Sequence, residues 1–213
     1  MKTVLLTGFE PFNGATINPA WEAVRALDRW EGDGFRVVTC QLPCVFGLST
    51  RLLLDAIEET RPDVVMAVGQ AGGRADITVE RIAINIDDAP ITDNDGWQPR
   101  DATIVSSGPA AYFATLPIKA MVQAIRQRGI NASVSQTAGT FVCNHVFYGL
   151  MHFTHALPLQ AGFIHVPYLP EQVADQPGVP AMALDQIIDG LRAAVEVAVH
   201  GGGESTAVEG ATH

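Results

Sequence analysis

A chain of 213 residues, 47% hydrophobic and only 17% charged, has the material for one α/β domain with a sizeable core and an apolar subunit interface. A net charge of −10 with no basic run to offset it argues against nucleic acid or an anionic membrane as a partner. Three cysteines, an odd number, point to free thiols in a reducing compartment, and no stretch approaches the ~20 apolar residues of a membrane span. The apolar run in MKTVLLTGFE is too short for a signal peptide, so the expected location is the cytoplasm.

In chain order, MKTVLLT predicts a first strand near 2–7. Asn18 followed by Pro19 is an N-cap with proline at the first helical position, which starts a helix near 19–29. A strand near 35–42, a helix near 48–60 and a strand near 63–69 follow. Thr78 to Ile86 reads as one further strand, with Glu80, Ile82, Ile84 and Ile86 on one face and Arg81, Ala83 and Asn85 on the other. The Pro/Asp/Asn/Gly-rich stretch from Ala89 to Gly108 interrupts the alternation, so part of the sheet is expected to be antiparallel. A helix near 117–128 stops at Gly129, after Arg126 and Arg128. A strand near 132–136, a helix near 142–155, a strand near 161–166 and a helix near 181–199 complete the set. There is no internal repeat. Strands alternating with helices imply a single α/β domain over 1–200, built on a twisted, mostly parallel central sheet with helices on both faces. The Gly-rich, aperiodic tail 201–213 is expected to be disordered.

Three positions carry chemistry. Cys143 stands where a Gly-containing loop turns into a helix whose Val142, Val146, Leu150 and Phe153 form one apolar stripe. Unpaired N–H groups and the positive end of the helix dipole there stabilise a thiolate and can hold an oxyanion, although an isolated cysteine is more often simply buried. His165 ends a short buried strand, pointing to the edge where open α/β sheets place their sites. Glu80 lies on an apolar face, and a buried carboxylate requires a cation or a histidine N–H beside it. A cysteine nucleophile needs a base and a group that orients the base, from anywhere in the sequence.

Other patterns are weaker. Cys40 and Cys44 form a C-x₃-C without a second pair, and His152 and His155 lie three apart without a third ligand, so neither a metal nor a cofactor is expected. The loop from Gly69 to Gly73 after a strand suggests a phosphate-binding enzyme of phosphorylase type, but neither G-K-[ST] nor G-x-G-x-x-G is present.

The segments Gly69 to Asn85 (GQAGGRADITVERIAIN) and Thr137 to Asn144 (TAGTFVCN), with LLTGFEPFNG near the start and GFIHVPYLPEQ near the end, resemble the type I pyroglutamyl peptidases, or pyrrolidone-carboxylate peptidases. The similarity runs from about Lys2 to about Val199. It implies a cytosolic cysteine exopeptidase that removes an N-terminal pyroglutamyl residue through a thioester, with Glu80, Cys143 and His165 at the family's catalytic positions. The resemblance also implies a homotetramer, and places Phe9, Phe12, Phe141, Val142 and Ile91, with Gln70 and Asn18, around a small uncharged lactam.

Two departures stand out. Where relatives commonly read A-R-I-P-D-N, this chain reads Ala89-Pro90-Ile91-Thr92-Asp93-Asn94, which removes both a guanidinium and a backbone N–H at position 90. Cys44 stands where relatives often carry threonine. The Pro90 departure keeps a second reading open, a non-catalytic relative that binds pyroglutamyl peptides.

Overall fold

The computed structural model describes residues 1–201 and 208–210. In chain order the elements are β1 (Lys2–Phe9), α1 (Pro19–Arg25), β2 (Glu31–Gly32), β3 (Phe35–Leu42), α2 (Leu48–Thr60), β4 (Val64–Gln70), β5 (Ile77–Glu80), β6 (Ile82–Ile84), β7 (Ala111–Phe113), α3 (Ile118–Gln127), β8 (Ala132–Ser135), α4 (Val142–Thr154), β9 (Gln160–Val166) and α5 (Leu184–His200). A seven-stranded sheet runs in the order β2-β3-β1-β4-β9-β5-β8, and β6 pairs with β7 in a separate ribbon. The β3, β1, β4 and β9 strands are parallel neighbours, whereas β5 runs antiparallel to β9 and carries β8 parallel beside it.

Alternation along the central strands sorts the core into two layers. Val4, Leu6, Met66, Val68, Ile77, Val79, Ile164 and Val166 face one side, where the apolar stripes of α1, α3 and α5 cover them. Leu5, Val65, Ala67, Ala161 and Phe163 face the other, under α2 and α4. Gly69, His165, Thr78 and Glu80 continue this second face, because each lies an even number of residues from a member of it or directly across a paired strand. This parity puts them beneath the start of α4.

The single strand expected over 78–86 is two strands. β5 ends at Glu80, and the chain turns at Arg81, whose N–H goes to Ser135 O while its carbonyl accepts from the N–H of Ala114. β6 then pairs with β7, a strand hidden in the turn-rich stretch. Asn144 of α4 fixes this ribbon, accepting from the Ile84 N–H at 3.0 Å and donating to the carbonyls of Ile84 and Ile86.

The helix signals act as expected at two ends. Asn18 Oδ1 accepts from the Ala20 N–H at 3.0 Å with Pro19 at the first helical position, and Gly129 adopts φ +76° after α3. α1 stops earlier than expected, at Arg25, before a turn through Arg29 at φ 58°. The expectation for 201–213 falls largely outside the described residues; within them, Glu209 accepts an ion-paired bond from Arg126 at 2.7 Å. Among the described residues, no helix is long and apolar enough to cross a membrane.

Candidate active site

Three adjacent strands bring the sequence-selected side chains together. His165 on β9 lies in register with Gly69 on β4 and with Thr78 on β5. Its Nδ1 is 2.8 Å from Glu80 Oε1, and the two side chains are 5% and 0% exposed, so the pair is a buried one. Cys143, the second residue of α4, comes down onto the same face: a Cβ added at Gly69 would lie 2.8 Å from its sulfur and 2.9 Å from the Phe163 ring. Since neighbouring strands lie about 4.8 Å apart, a sulfur resting on Gly69 is beside the imidazole at the paired position. Phe163 backs the imidazole with ring centroids 4.8 Å apart.

Glu80 has the cation as well as the histidine that its burial demanded. Arg74, in the loop between β4 and β5, donates from Nη1 to Glu80 Oε1 and to Thr78 Oγ1, both at 2.7 Å, and from Nη2 to Thr137 O at 2.9 Å. One guanidinium thus ties the carboxylate to the loop that leads into α4. Both donors converge on Oε1, and Oε2 is left without a hydrogen-bond partner among the described residues. Burial alone pushes the Glu80 carboxyl up, but the His165 bond and charge, the neighbouring Ser135 hydroxyl and Arg74 together hold it below the usual carboxylate range.

The sulfur departs from the expectation of a thiolate favoured by the helix terminus. Burial pushes the Cys143 thiol well above its ordinary range, the nearby Cys44 and Glu80 add to this, and Arg74 opposes it. Cys44, which unlike Cys143 is buried, is pushed up to about 12 by its burial and by Glu10 and Asp93. These surroundings favour the thiol over the thiolate at this position. α4 itself has no side-chain cap at Phe141, which leaves the first-turn N–H groups free of side-chain partners.

Around this centre the aromatic side chains form a wall. Phe9 is 2% exposed and packs on Phe163, while Phe12 meets Phe141 with centroids 6.1 Å apart. Phe46, which sequence reasoning passed over although it lies in the segment that drew attention to Cys44, packs edge-on against Phe141, His145 and Trp97. A second buried histidine–carboxylate pair braces this wall. His145 Nδ1 is 2.7 Å from Asp87 Oδ2, and its Nε2 accepts from the Gly47 N–H, so α4 is pinned to both flanking loops. Ile91 is half-buried and follows the exposed Pro90; Asp88, just before, donates its N–H to Thr140 O, which sets this loop beside the entry to α4.

Other candidates are occupied in different ways. Val142 is fully buried in the core, and Asn18 is 1% exposed, with its oxygen on Ala20 N and its amide donating to Glu10 O at 3.1 Å. Gln70 Oε1 accepts from Gln172 Nε2 at 2.9 Å. In the loop after Gly69 the Ala71 N–H goes to Val166 O, so it is not turned outward as a phosphate cradle needs. His152 bonds the Tyr112 hydroxyl at 2.8 Å. Arg74 carries no distinguishing signal in the sequence, yet it is the cation whose presence Glu80 required.

Comparison with known proteins identifies the family. The family model described as pyroglutamyl peptidase matches residues 2–201. The chain is 58% identical, over all of both proteins, to the pyrrolidone-carboxylate peptidase of Enterobacter sp. (strain 638). It is 61% identical over 92% of each to pyrrolidone-carboxylate peptidase 1 of Ralstonia nicotianae. The crystal structure of Bacillus amyloliquefaciens pyroglutamyl peptidase I superposes with a TM-score of 0.93 at 47% identity, covering 96% of this chain and all of that one. A mutant pyrrolidone carboxyl peptidase from Pyrococcus furiosus superposes at 0.90 and 41% identity, covering 93% and 98%. With a half-buried thiol and a buried imidazole and carboxylate gathered under one helix start and a family match along nearly its whole length, the chain belongs to the pyroglutamyl peptidases, a family of cysteine peptidases.

Proposed function

We propose that this protein hydrolyses the amide bond that follows an N-terminal pyroglutamyl residue, with Cys143 as nucleophile, His165 as general base and acid, and Glu80 as the group that orients the imidazole. The observation that carries the reading is the Glu80–His165 bond at Nδ1 beside a sulfur seated on Gly69. With its Nδ1 proton donated to Glu80, the imidazole keeps Nε2 free as the base. Nε2 takes the thiol proton as Sγ bonds to the carbonyl carbon. When the tetrahedral intermediate collapses, the C–N bond breaks and the same proton leaves with the amine. Water, deprotonated at Nε2, then attacks the thioester, the C–S bond breaks, and pyroglutamate departs with the thiol restored.

The oxyanion falls to the uncapped start of α4, where the Cys143 N–H is the first donor; such a donor contributes roughly 3 to 4 kcal/mol to catalysis. Pro90 supplies neither a guanidinium nor an N–H. An uncharged lactam suits the wall of Phe9, Phe12, Phe46, Phe141 and Ile91, since a pocket for a free α-amino group would need a carboxylate in that wall. Asn18 and Val142 would act from behind it by holding the β1–α1 loop and the helix start, and Gln70 would meet the polar edge of the ring.

The test is release of an arylamine from pyroglutamyl and prolyl arylamides. Turnover of the first alone, abolished by iodoacetamide and untouched by EDTA, is the expected result. An activity that resists alkylation and yields to the chelator overturns the mechanism, and binding of the product without any turnover favours the non-catalytic reading. Gly69→Ala provides a second measurement. Its Cβ must displace the sulfur or Phe163, and a shift of this kind in a reacting atom costs on the order of 10²-fold in kcat/KM. Unchanged kinetics in that variant would mean that the sulfur does not react from its place on Gly69.

A further inference from the structure

A cavity of about 690 Å³ opens between the β1–α1 loop and the segment after β9. Phe12, Gln70, Tyr168, Glu171, Gln172 and Gln176 contribute to its wall. Gln70 comes directly after Gly69 and Tyr168 three residues after His165, so the cavity begins where the two strands that carry the reaction centre end. Phe12, whose ring lies 6.1 Å from that of Phe141, also lines this cavity, so the groove adjoins the aromatic wall.

We propose that this groove receives the part of the peptide that leaves, the residues after the scissile bond, and that it favours cationic side chains there. This rests on the pyroglutamyl reading above and extends it from the ring to the residues beyond the ring. The wall is polar enough to hold peptide backbone. Gln70, Gln172 and Gln176 line it with amide groups; the Gln172 nitrogen donates to Gln70 Oε1 and its oxygen accepts from the Leu169 N–H. Among the described residues of the wall Glu171 bears the one formal charge, and it is exposed to solvent. A cationic side chain placed near it gains a screened attraction and an anionic one is repelled by as much.

The experiment compares three peptides in which pyroglutamate is followed by two lysines, two glutamines or two glutamates, reading kcat/KM from released pyroglutamate. At low salt the lysine peptide should exceed the glutamine peptide by about two- to fivefold, with the glutamate peptide lowest. The spread should shrink at about 0.5 M sodium chloride, as expected of an exposed charge. The protein's net charge of −10 would by itself favour cations, so the decisive arm is Glu171. In Glu171→Gln the lysine-to-glutamate ratio should fall, and in Glu171→Lys it should invert. A ratio that is flat in the wild-type protein, or one that both variants leave unchanged, overturns the inference while the arylamide assay still stands. No turnover of any pyroglutamyl substrate, arylamide included, overturns the proposed function and this inference with it.

Discussion

Cys143→Ala is expected to abolish turnover of a pyroglutamyl arylamide, lowering kcat on the order of 10⁵- to 10⁶-fold, because a covalent route has no substitute for its nucleophile. The fold should survive, since the Cys143 side chain makes no hydrogen bond among the described residues, and α4 is held by its neighbours Asn144 and His145. Circular dichroism and the thermal midpoint therefore serve as controls. Cys40→Ala, a change at a half-buried thiol on β3, should stay close to wild type. Full turnover in Cys143→Ala would remove the sulfur from the mechanism. The upward shift of that half-buried thiol also predicts alkylation by iodoacetamide that is slow at neutral pH and speeds up as pH rises, because the reagent reacts with the thiolate.

Glu80→Gln should lower kcat by roughly 10²- to 10⁴-fold, the size expected when one charge is removed from a buried pair. The geometry specifies why. His165 and Arg74 both donate to Oε1, so the glutamine oxygen can take that place and keep the imidazole oriented, with its NH₂ where Oε2 now has no partner. The negative charge disappears, leaving Arg74 uncompensated beside an imidazole that, in the proposed mechanism, becomes cationic in the transition state. Kinetics equal to wild type would take Glu80 out of its proposed role. The same substitution has a stability signature. The folded Glu80 carboxyl lies below its unfolded value, so its contribution is fully present above about pH 4.3 and fades as pH falls through the folded value. Acid titration of the thermal midpoint should show this loss in wild type and a shallower one in the variant; parallel curves would contradict it.

Each of the three central side chains is visible in the sequence because each sits in a local signal. Cys143 occupies a loop-to-helix junction, His165 a strand end before a proline, and Glu80 an apolar face where a carboxylate has no place unpaired. The alternation of elements likewise predicts the layers, and Asn18, Pro19 and Gly129 mark two helix ends. The features that are not legible depend on partners distant in sequence. The period-2 pattern runs unbroken from Thr78 to Ile86, and β5 stops at Glu80 only because β8, which pairs with it, ends at Ser135 and the Arg81 carbonyl is engaged by Ala114. Arg74 reads as one loop cation among several until Glu80 and Thr137 are seen around it. The state of the sulfur escapes the sequence for a related reason: a helix terminus is a local feature, whereas desolvation is set by everything packed over the site.

Imidazole, carboxylate and the glycine seat beneath the sulfur all belong to three neighbouring strands in the interior of a seven-stranded sheet. Backbone in such a place opens only when the whole sheet does. The proposed proton-transfer pair is thus as durable as the domain itself. Under the proposed mechanism, substitutions in the parts that hang above the sheet, the first turn of α4 and the loops braced against it, can reshape the pocket while leaving this sheet-borne frame in place.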